Sequence, residues 1–178
     1  MRIALCCSLL ALLPLKAFAD SPFYLGLEVG SAMEDRFDEL GGDIDSDNLW
    51  GGYGGYRLTD SLAVELHVNE LGESSRSAIL DAGFELDGTV YSLALVGAFP
   101  VHDRVDILAG VGAFRLDEDG QTFTLLGVRN VDSSDSGLMA EGGVRWHLDQ
   151  TWALRASWRW YDFERADGSL IGAVEASF

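Results

Sequence analysis

The sequence predicts an all-β protein, an eight-stranded antiparallel up-and-down transmembrane β-barrel, and three observations carry that reading. Segments with one apolar face and one small or polar face recur along the chain, the period-two pattern of a two-sided strand. Short and long connections between these segments alternate. The chain closes on a segment in which Leu170, Gly172, Val174, Ala176 and Phe178 form one face, while Ser169, Glu175 and Ser177, with Ile171 and Ala173 between them, form the other.

Residues 1–19 read as a secretory signal peptide. Arg2 supplies the positive start, Ile3 to Leu13 is the apolar run, and Ala17-Phe18-Ala19 is an A-x-A cleavage site. The run is too short for a membrane helix, which needs ~20 apolar residues. Cys6 and Cys7 lie inside it, too near the start for a lipoprotein. The expected mature chain, residues 20–178, is one barrel domain without cysteine, so disulfides, thiol catalysis and Cys-ligated metals are excluded. Removing Arg2 and Lys16 from 12 basic residues leaves 10, all arginine, against 29 acidic ones, a net charge of −19. Nucleic acid is thereby excluded as a partner. Export without a later apolar helix leaves a free periplasmic domain or an outer-membrane barrel.

The strands follow in order. Phe23, Leu25, Leu27 and Val29 oppose Tyr24, Gly26, Glu28 and Gly30. Trp50, Gly52, Gly54 and Tyr56 oppose Gly51, Tyr53, Gly55 and Arg57. Leu62, Val64, Leu66 and Val68 oppose Ala63, Glu65, His67 and Asn69, the cleanest alternation in the chain. Tyr91, Leu93, Leu95, Gly97 and Phe99 oppose Ser92, Ala94, Val96 and Ala98. Val105, Ile107, Ala109 and Val111 oppose Asp106, Leu108, Gly110 and Gly112. Leu138, Ala140, Gly142, Val144, Trp146 and Leu148 oppose Met139, Glu141, Gly143, Arg145 and His147. Trp152, Leu154, Ala156, Trp158 and Trp160 oppose Ala153, Arg155, Ser157, Arg159 and Tyr161. With the terminal strand these make eight, an even number as single-chain bacterial barrels require.

The connections at Thr59-Asp60-Ser61, Pro100 to Arg104 and Asp149-Gln150-Thr151 are short. Glu34 to Asp47, Leu71 to Leu86, Asp117 to Ser136 and the shorter Phe163 to Gly168 are expected as polar loops. Short periplasmic turns and longer external loops alternate in this way. The apolar faces carry the large residues, with Trp50, Tyr56, Tyr91, Phe99, Trp146, Trp152, Trp158 and Trp160 toward strand ends, as interfacial aromatic girdles do. The opposite faces are small or charged, suited to a narrow lumen. A soluble lipocalin-like barrel would bury the apolar faces instead.

Gly55-Tyr56-Arg57-Leu58-Thr59-Asp60 followed by Leu62-Ala63-Val64-Glu65 is similar to the second hairpin of OmpA-type transmembrane barrel domains. Glu141-Gly142-Gly143-Val144-Arg145-Trp146 through Arg159-Trp160-Tyr161-Asp162-Phe163 resembles their sixth and seventh strands. The resemblance implies an integral barrel in a Gram-negative-type outer membrane. It also implies that Phe178 belongs to a signal read by the insertion machinery. The sequence stops at Phe178, where full-length members continue into a peptidoglycan-binding domain.

Glu28, Arg57, Glu65, His67, Glu141, Arg145, Arg155, Arg159 and Glu175 fall on inward faces. Unpaired charge there costs several kcal/mol, so these groups are expected to be paired or hydrated. Centring one hairpin on Gln150 sets Glu141 opposite Arg159; centring the last near Arg165 sets Arg155 opposite Glu175. The family resemblance implies such a lumenal ion-pair network, either a structural filling or a gate.

Some barrels of this size modify outer-membrane lipids, chemistry that wants a His beside a Ser or an acid at the outer rim. His67, beside Glu65 and Asn69 with Ser74 and Ser75 beyond, is a weak coincidence; His102 and His147 lie at short turns. Asp43-Ile44-Asp45-Ser46-Asp47 opens like a calcium loop, but Asn48 and Gly54 stand where Gly and Glu are needed. No catalytic residue, cofactor or dedicated metal site is expected. Divalent cations bridging the acidic loops to lipopolysaccharide phosphates are a looser expectation.

Two function classes remain: a non-enzymatic structural or surface-interaction protein with acidic external loops, or a small low-conductance channel. The expected partners are outer-membrane lipids, lipopolysaccharide and the insertion machinery; any external loop partner is unknown. For an integral barrel, the mature chain shows strand-rich circular dichroism and a gel shift on heating in detergent. A chain that stays soluble and monomeric without detergent overturns fold and location together.

Overall fold

Period-two alternation makes these segments strands, and an apolar outer face bars any open edge from hydrocarbon, where unpaired backbone groups cost several kcal/mol each. The computed structural model describes residues 21–31, 48–77, 83–124, 127–162 and 168–178, with backbone alone at 72–77, 83–87, 118–124 and 127–133. The expected signal peptide, residues 1–19, and the acidic run Asp43 to Asp47 lie outside the described residues. The strands are β1 (Phe23–Ser31), β2 (Asn48–Thr59), β3 (Leu62–Ser77), β4 (Gly83–His102), β5 (Val105–Thr124), β6 (Gly127–His147), β7 (Trp152–Tyr161) and β8 (Gly168–Ser177). Each pairs antiparallel with the next, and β1 pairs with β8 from Tyr24↔Ser177 to Gly30↔Ile171, closing the barrel. The Phe178 N–H extends that seam, donating to the Phe23 carbonyl at 3.3 Å.

The faces fall as the alternation predicts. In β7, Trp152, Leu154, Ala156, Trp158 and Trp160 are exposed, and Ala153, Arg155, Ser157, Arg159 and Tyr161 are buried. Leu27 is 68%, Leu66 55% and Leu138 66% exposed, whereas Glu65, His67 and Arg159 are 0% exposed. A water-soluble barrel does the reverse, so the lipocalin-like alternative is excluded by polarity. All eight aromatics assigned to the girdles lie on the outer surface.

Two expectations need correction. Leu71 to Leu86 and Asp117 to Ser136 are not loops throughout: β4 and β5 run 20 residues and β6 runs 21. A barrel strand crosses a bilayer in about 9–11 residues, so these strands overshoot by roughly ten, or ~30 Å. β3 to β6 thus continue beyond the barrel as one four-stranded sheet, paired up to Ser77↔Gly83, Gly83↔Phe123 and Thr124↔Gly127. Ladder hydrogen bonds do not depend on side-chain polarity, and a strand polar on both faces has no hydrophobic period to betray it. The register shifts between Leu71 and Ser74, where β3 leaves the barrel proper.

The lumen is also not confined to small and charged residues. Val90, Ala94, Val96, Leu108, Phe114, Leu116, Met139 and Tyr161 form an apolar cluster inside it, chiefly along β4 and β5. Across β1 and β2, Tyr24 opposes Gly55 and Gly26 opposes Tyr53. A Cβ on Gly55 would run into the Tyr24 ring, and one on Gly26 into the Tyr53 ring. Each glycine therefore gives a cross-strand tyrosine room to lie flat in the lumen.

The short turns are tied locally. Asp149, between β6 and β7, accepts backbone N–H bonds from Trp152 and Thr151 at 2.8 Å each. Those two donors hold its carboxyl below the usual aspartate range.

The face assignment predicts the effect of inserted charge. Leu66→Arg or Val144→Arg, on the outer face near mid-barrel, costs about 2–4 kcal/mol in urea unfolding from lipid vesicles. Ser157→Thr, a polar change on the lumenal face, costs less; equal tolerance on both faces would show the assignment to be wrong.

Candidate functional site in the barrel lumen

Alternation puts every second side chain inside, and the narrow interior forces those charges into contact. At the short-turn end, Arg57 Nη2 donates to Ser177 Oγ at 2.6 Å and lies 3.9 Å from Glu175. Glu175 Oε2 accepts from Tyr53 Oη at 3.0 Å and pairs with Arg145 Nη2 at 3.1 Å. Arg145 lies 3.9 Å from Asp106, which pairs with His147 Nε2 at 2.8 Å. The Arg57 and Arg145 guanidinium carbons sit 4.9 and 5.5 Å from the Tyr24 ring centroid, a cation–π arrangement. Tyr24 Oη donates to Glu65 Oε1 at 2.5 Å.

Midway, Arg155 Nη1 donates to both Glu65 oxygens, at 2.9 and 3.0 Å, and Arg155 Nη2 donates to Glu141. The Arg155 head lies 5.1 Å from the Tyr53 ring centroid. Toward the long-hairpin end, Arg159 Nε donates to Glu141 Oε2 at 3.1 Å, and its Nη1 and Nη2 donate to Glu28 at 3.3 and 3.2 Å. His67 stands between Glu28 and Glu65, 3.2 and 3.1 Å away, with the Tyr53 ring stacked on it at 5.0 Å.

The structure places Glu28, Arg57, Glu65, His67, Glu141, Arg145, Arg155, Arg159 and Glu175 on the inner wall, and hydrogen bonds and ion pairs, including Arg145 to Glu65 at 3.9 Å, link them. Glu141 faces Arg159 as the Gln150-centred hairpin requires. The expected Arg155–Glu175 pairing is corrected: Arg155 faces Ala173, and Glu175 faces Ala153. Misplacing a hairpin centre by half a residue shifts partners by one, and by a whole residue shifts them by two, which preserves faces and changes neighbours. Arg155 instead bridges Glu65 and Glu141, while Glu175 belongs to Arg145, Arg57 and Tyr53. Sequence reasoning missed Tyr24, Tyr53 and Asp106 as members; the glycines opposite the two tyrosines are the signal that finds them.

Four arginines (57, 145, 155, 159) meet four glutamates (28, 65, 141, 175). Buried pairs of this kind are balanced rather than strongly stabilising, and damage comes from removing one partner. Both His67 nitrogens face carboxylates, Nδ1 that of Glu28 and Nε2 that of Glu65. Among the described residues, no group of three or more His, Cys, Asp or Glu is placed to hold a metal ion.

Glu141→Ala takes one of two carboxylate partners from both Arg155 and Arg159 and is expected to lower unfolding stability by about 3–5 kcal/mol. Adding Arg159→Ala recovers part of that loss, because the second change removes one of the two under-compensated charges. A double-mutant cycle in urea reads the coupling; zero coupling would mean that the two side chains do not interact.

The chain matches a family model described as outer membrane protein beta-barrel domain over residues 3–175. Solved structures of the same shape include the N-terminal β-barrel domain of OprF from Pseudomonas aeruginosa, 15% identical, covering 89% of this chain and 98% of that one, with a TM-score of 0.62. Neisserial surface protein A is 17% identical, with coverage of 89% and 98% and a TM-score of 0.62. Ail, the attachment invasion locus protein of Yersinia pestis, is 12% identical, with coverage of 88% and 96% and a TM-score of 0.56. No curated protein sequence matches the chain. At such identities the likeness shows the fold, and the family match supplies the membership. The chain belongs to the outer membrane β-barrel family, as an OmpA-type eight-stranded barrel integral to the outer membrane.

Proposed function

We propose that this protein is a surface-interaction protein: the barrel is its anchor, and the sheet formed by the upper parts of β3 to β6 is its contact surface. The observation that carries the reading is the ~30 Å continuation of β4, β5 and β6 beyond the membrane-spanning length. Strand order fixes the acidity of that sheet. Asp87 pairs with Asp119, and Asp119 with Asp132, so three aspartates share one register row across β4, β5 and β6. A sheet of that composition suits a cationic partner, or divalent cations shared with lipopolysaccharide phosphates. Among the described residues, β6 between Gly127 and Gly137 lies beyond the last residue paired to β7, the kind of strand edge that can pair with another chain.

In this reading residues 1–19 are a cleaved export signal, and Phe178 belongs to the signal for the insertion machinery. The similarity to Ail, the attachment invasion locus protein of Yersinia pestis, supports the same function class. Ail has also been solved with the heparin analogue sucrose octasulfate. A chain of net charge −17 with an acidic projecting sheet is poorly matched to such a polyanion. The alternative of a low-conductance channel needs a path through the lumen, which the ion pairs and the apolar cluster of Val90, Leu108 and Leu116 narrow.

The test trims the β5–β6 hairpin to the Asp117↔Ser134 pair and the β3–β4 hairpin to the Leu71↔Gly88 pair, joining each with Asn-Gly. Both barrels, refolded in detergent, are titrated with a nona-arginine peptide and with sucrose octasulfate. The intact protein binds the peptide in a salt-sensitive way, the trimmed barrel binds it at least tenfold more weakly, and neither binds the polyanion. Equal peptide binding by the trimmed and intact barrels rejects the proposal, as does a steady ionic current through the intact protein without peptide binding.

A further inference from the structure

We propose that His67 is a protonation-controlled hydrogen-bond switch in the lumenal plug, exchanging Glu28 for Arg159 as the partner of its Nδ1. The geometry gives Nδ1 two competing neighbours: Glu28 Oε1 at 3.2 Å and Arg159 Nη2 at 3.1 Å. A carboxylate only accepts and a guanidinium only donates. Nδ1 therefore serves Glu28 when it carries a proton and Arg159 when it does not. Nε2, 3.1 Å from Glu65 Oε2, donates to that carboxylate in both states. The two arrangements differ by one proton and require no backbone movement.

The exchange changes how firmly the plug is held. With Nδ1 protonated, Glu28 accepts from the imidazolium and from Arg159 Nη1 and Nη2. With Nδ1 bare, Arg159 Nη2 is drawn toward the ring and Glu28 loses the imidazole donor. The groups facing the ring are Glu28 from β1, Tyr53 from β2, Glu141 from β6, and Arg155, Arg159 and Tyr161 from β7, beside Glu65 on its own strand. β4 presents the hydroxyl of Ser92 opposite His67, and β8 presents that of Ser169 opposite Arg159. The imidazolium places one further positive charge between Glu28 and Glu65, each of which already pairs with an arginine.

A second observation concerns proton access. Asn69, Ser92 and Ser169 are each at most 3% exposed, and their side-chain polar atoms have no partner among the described residues. Buried polar groups of this kind are met by water. They sit two residues along the inner face from His67, across from it, and across from Arg159. Water on these groups is the proton donor and acceptor for an imidazole that bulk solvent does not touch.

The experiment is NMR on the mature chain refolded in detergent, with ¹⁵N-labelled histidine and arginine, from about pH 4.5 to 9, a range spanning ordinary imidazole titration. At the acid end both His67 nitrogens carry protons. At the alkaline end the ring is the Nε2–H tautomer, and the Arg159 side-chain resonances move along the same curve. His67→Gln flattens the Arg159 curve, whereas His147→Gln, at the rim beside Asp106, leaves it intact. An Nδ1–H tautomer at high pH overturns the proposal, since that nitrogen then cannot accept from Arg159. An Arg159 curve unchanged in His67→Gln, or a His67 that does not titrate in this range, overturns it too. If His67→Gln does not refold, the tautomer read in the unsubstituted protein decides alone.

Discussion

The β1–β8 seam is the interaction on which everything else in this molecule depends. Hydrocarbon offers no hydrogen-bond partners, so a sheet placed in it must leave no edge. From Tyr24↔Ser177 to Gly30↔Ile171, the first and last strands supply each other's missing ladder. Closure then dictates a small interior, and the small interior dictates the rest: charges that would repel one another or starve for solvent on an open sheet are brought within bonding distance.

The lumen is best understood as a consequence of that confinement. Glu65 sits 41 residues from Tyr24 and 90 from Arg155 along the chain, yet bonds to both. Such long-range bonds tie together strands that are not neighbours in the sheet, which the backbone ladder alone cannot do. The network and the apolar cluster divide the interior. Charges concentrate where β1, β2, β3, β6, β7 and β8 face one another, and Leu108, Phe114 and Leu116 fill the side toward β4 and β5. The extended sheet grows from strands β3 to β6, which include that apolar side.

What the sequence revealed follows from which signals are local. Faces were readable because burial on one side and lipid on the other impose period two on every crossing segment, and Leu62 to Asn69 shows it without interruption. The Glu141–Arg159 pairing was readable because a short turn at Asp149-Gln150-Thr151 leaves little freedom in register. Arg155 and Glu175 were paired wrongly because the longer connection from β7 to β8 leaves its centre undetermined. The extension of β5 to Thr124 and β6 from Gly127 is not legible because Asp117 to Ser136 has no regular apolar period, its few apolar residues being scattered among polar ones, and only the partner strand defines it. Contacts across the lumen, such as Tyr24 to Glu65, depend on closure itself and carry no local pattern.

The tyrosines show how one backbone choice propagates into the site. Gly55 and Gly26 remove the Cβ atoms that would hold the Tyr24 and Tyr53 rings away from the wall. Lying over those glycines, the rings reach two carboxylates at once, Tyr24 to Glu65 and Tyr53 to Glu175. They also offer their faces to cations, with Arg57 and Arg145 against Tyr24 and Arg155 against Tyr53. Tyr53 further stacks on His67, joining the short-turn level of the network to the level where Glu28 and Arg159 meet. A side chain at either glycine would displace a ring, and with it an acceptor's donor and a cation's face. Thus two residues with no side chain set the spacing of a network made entirely of long ones.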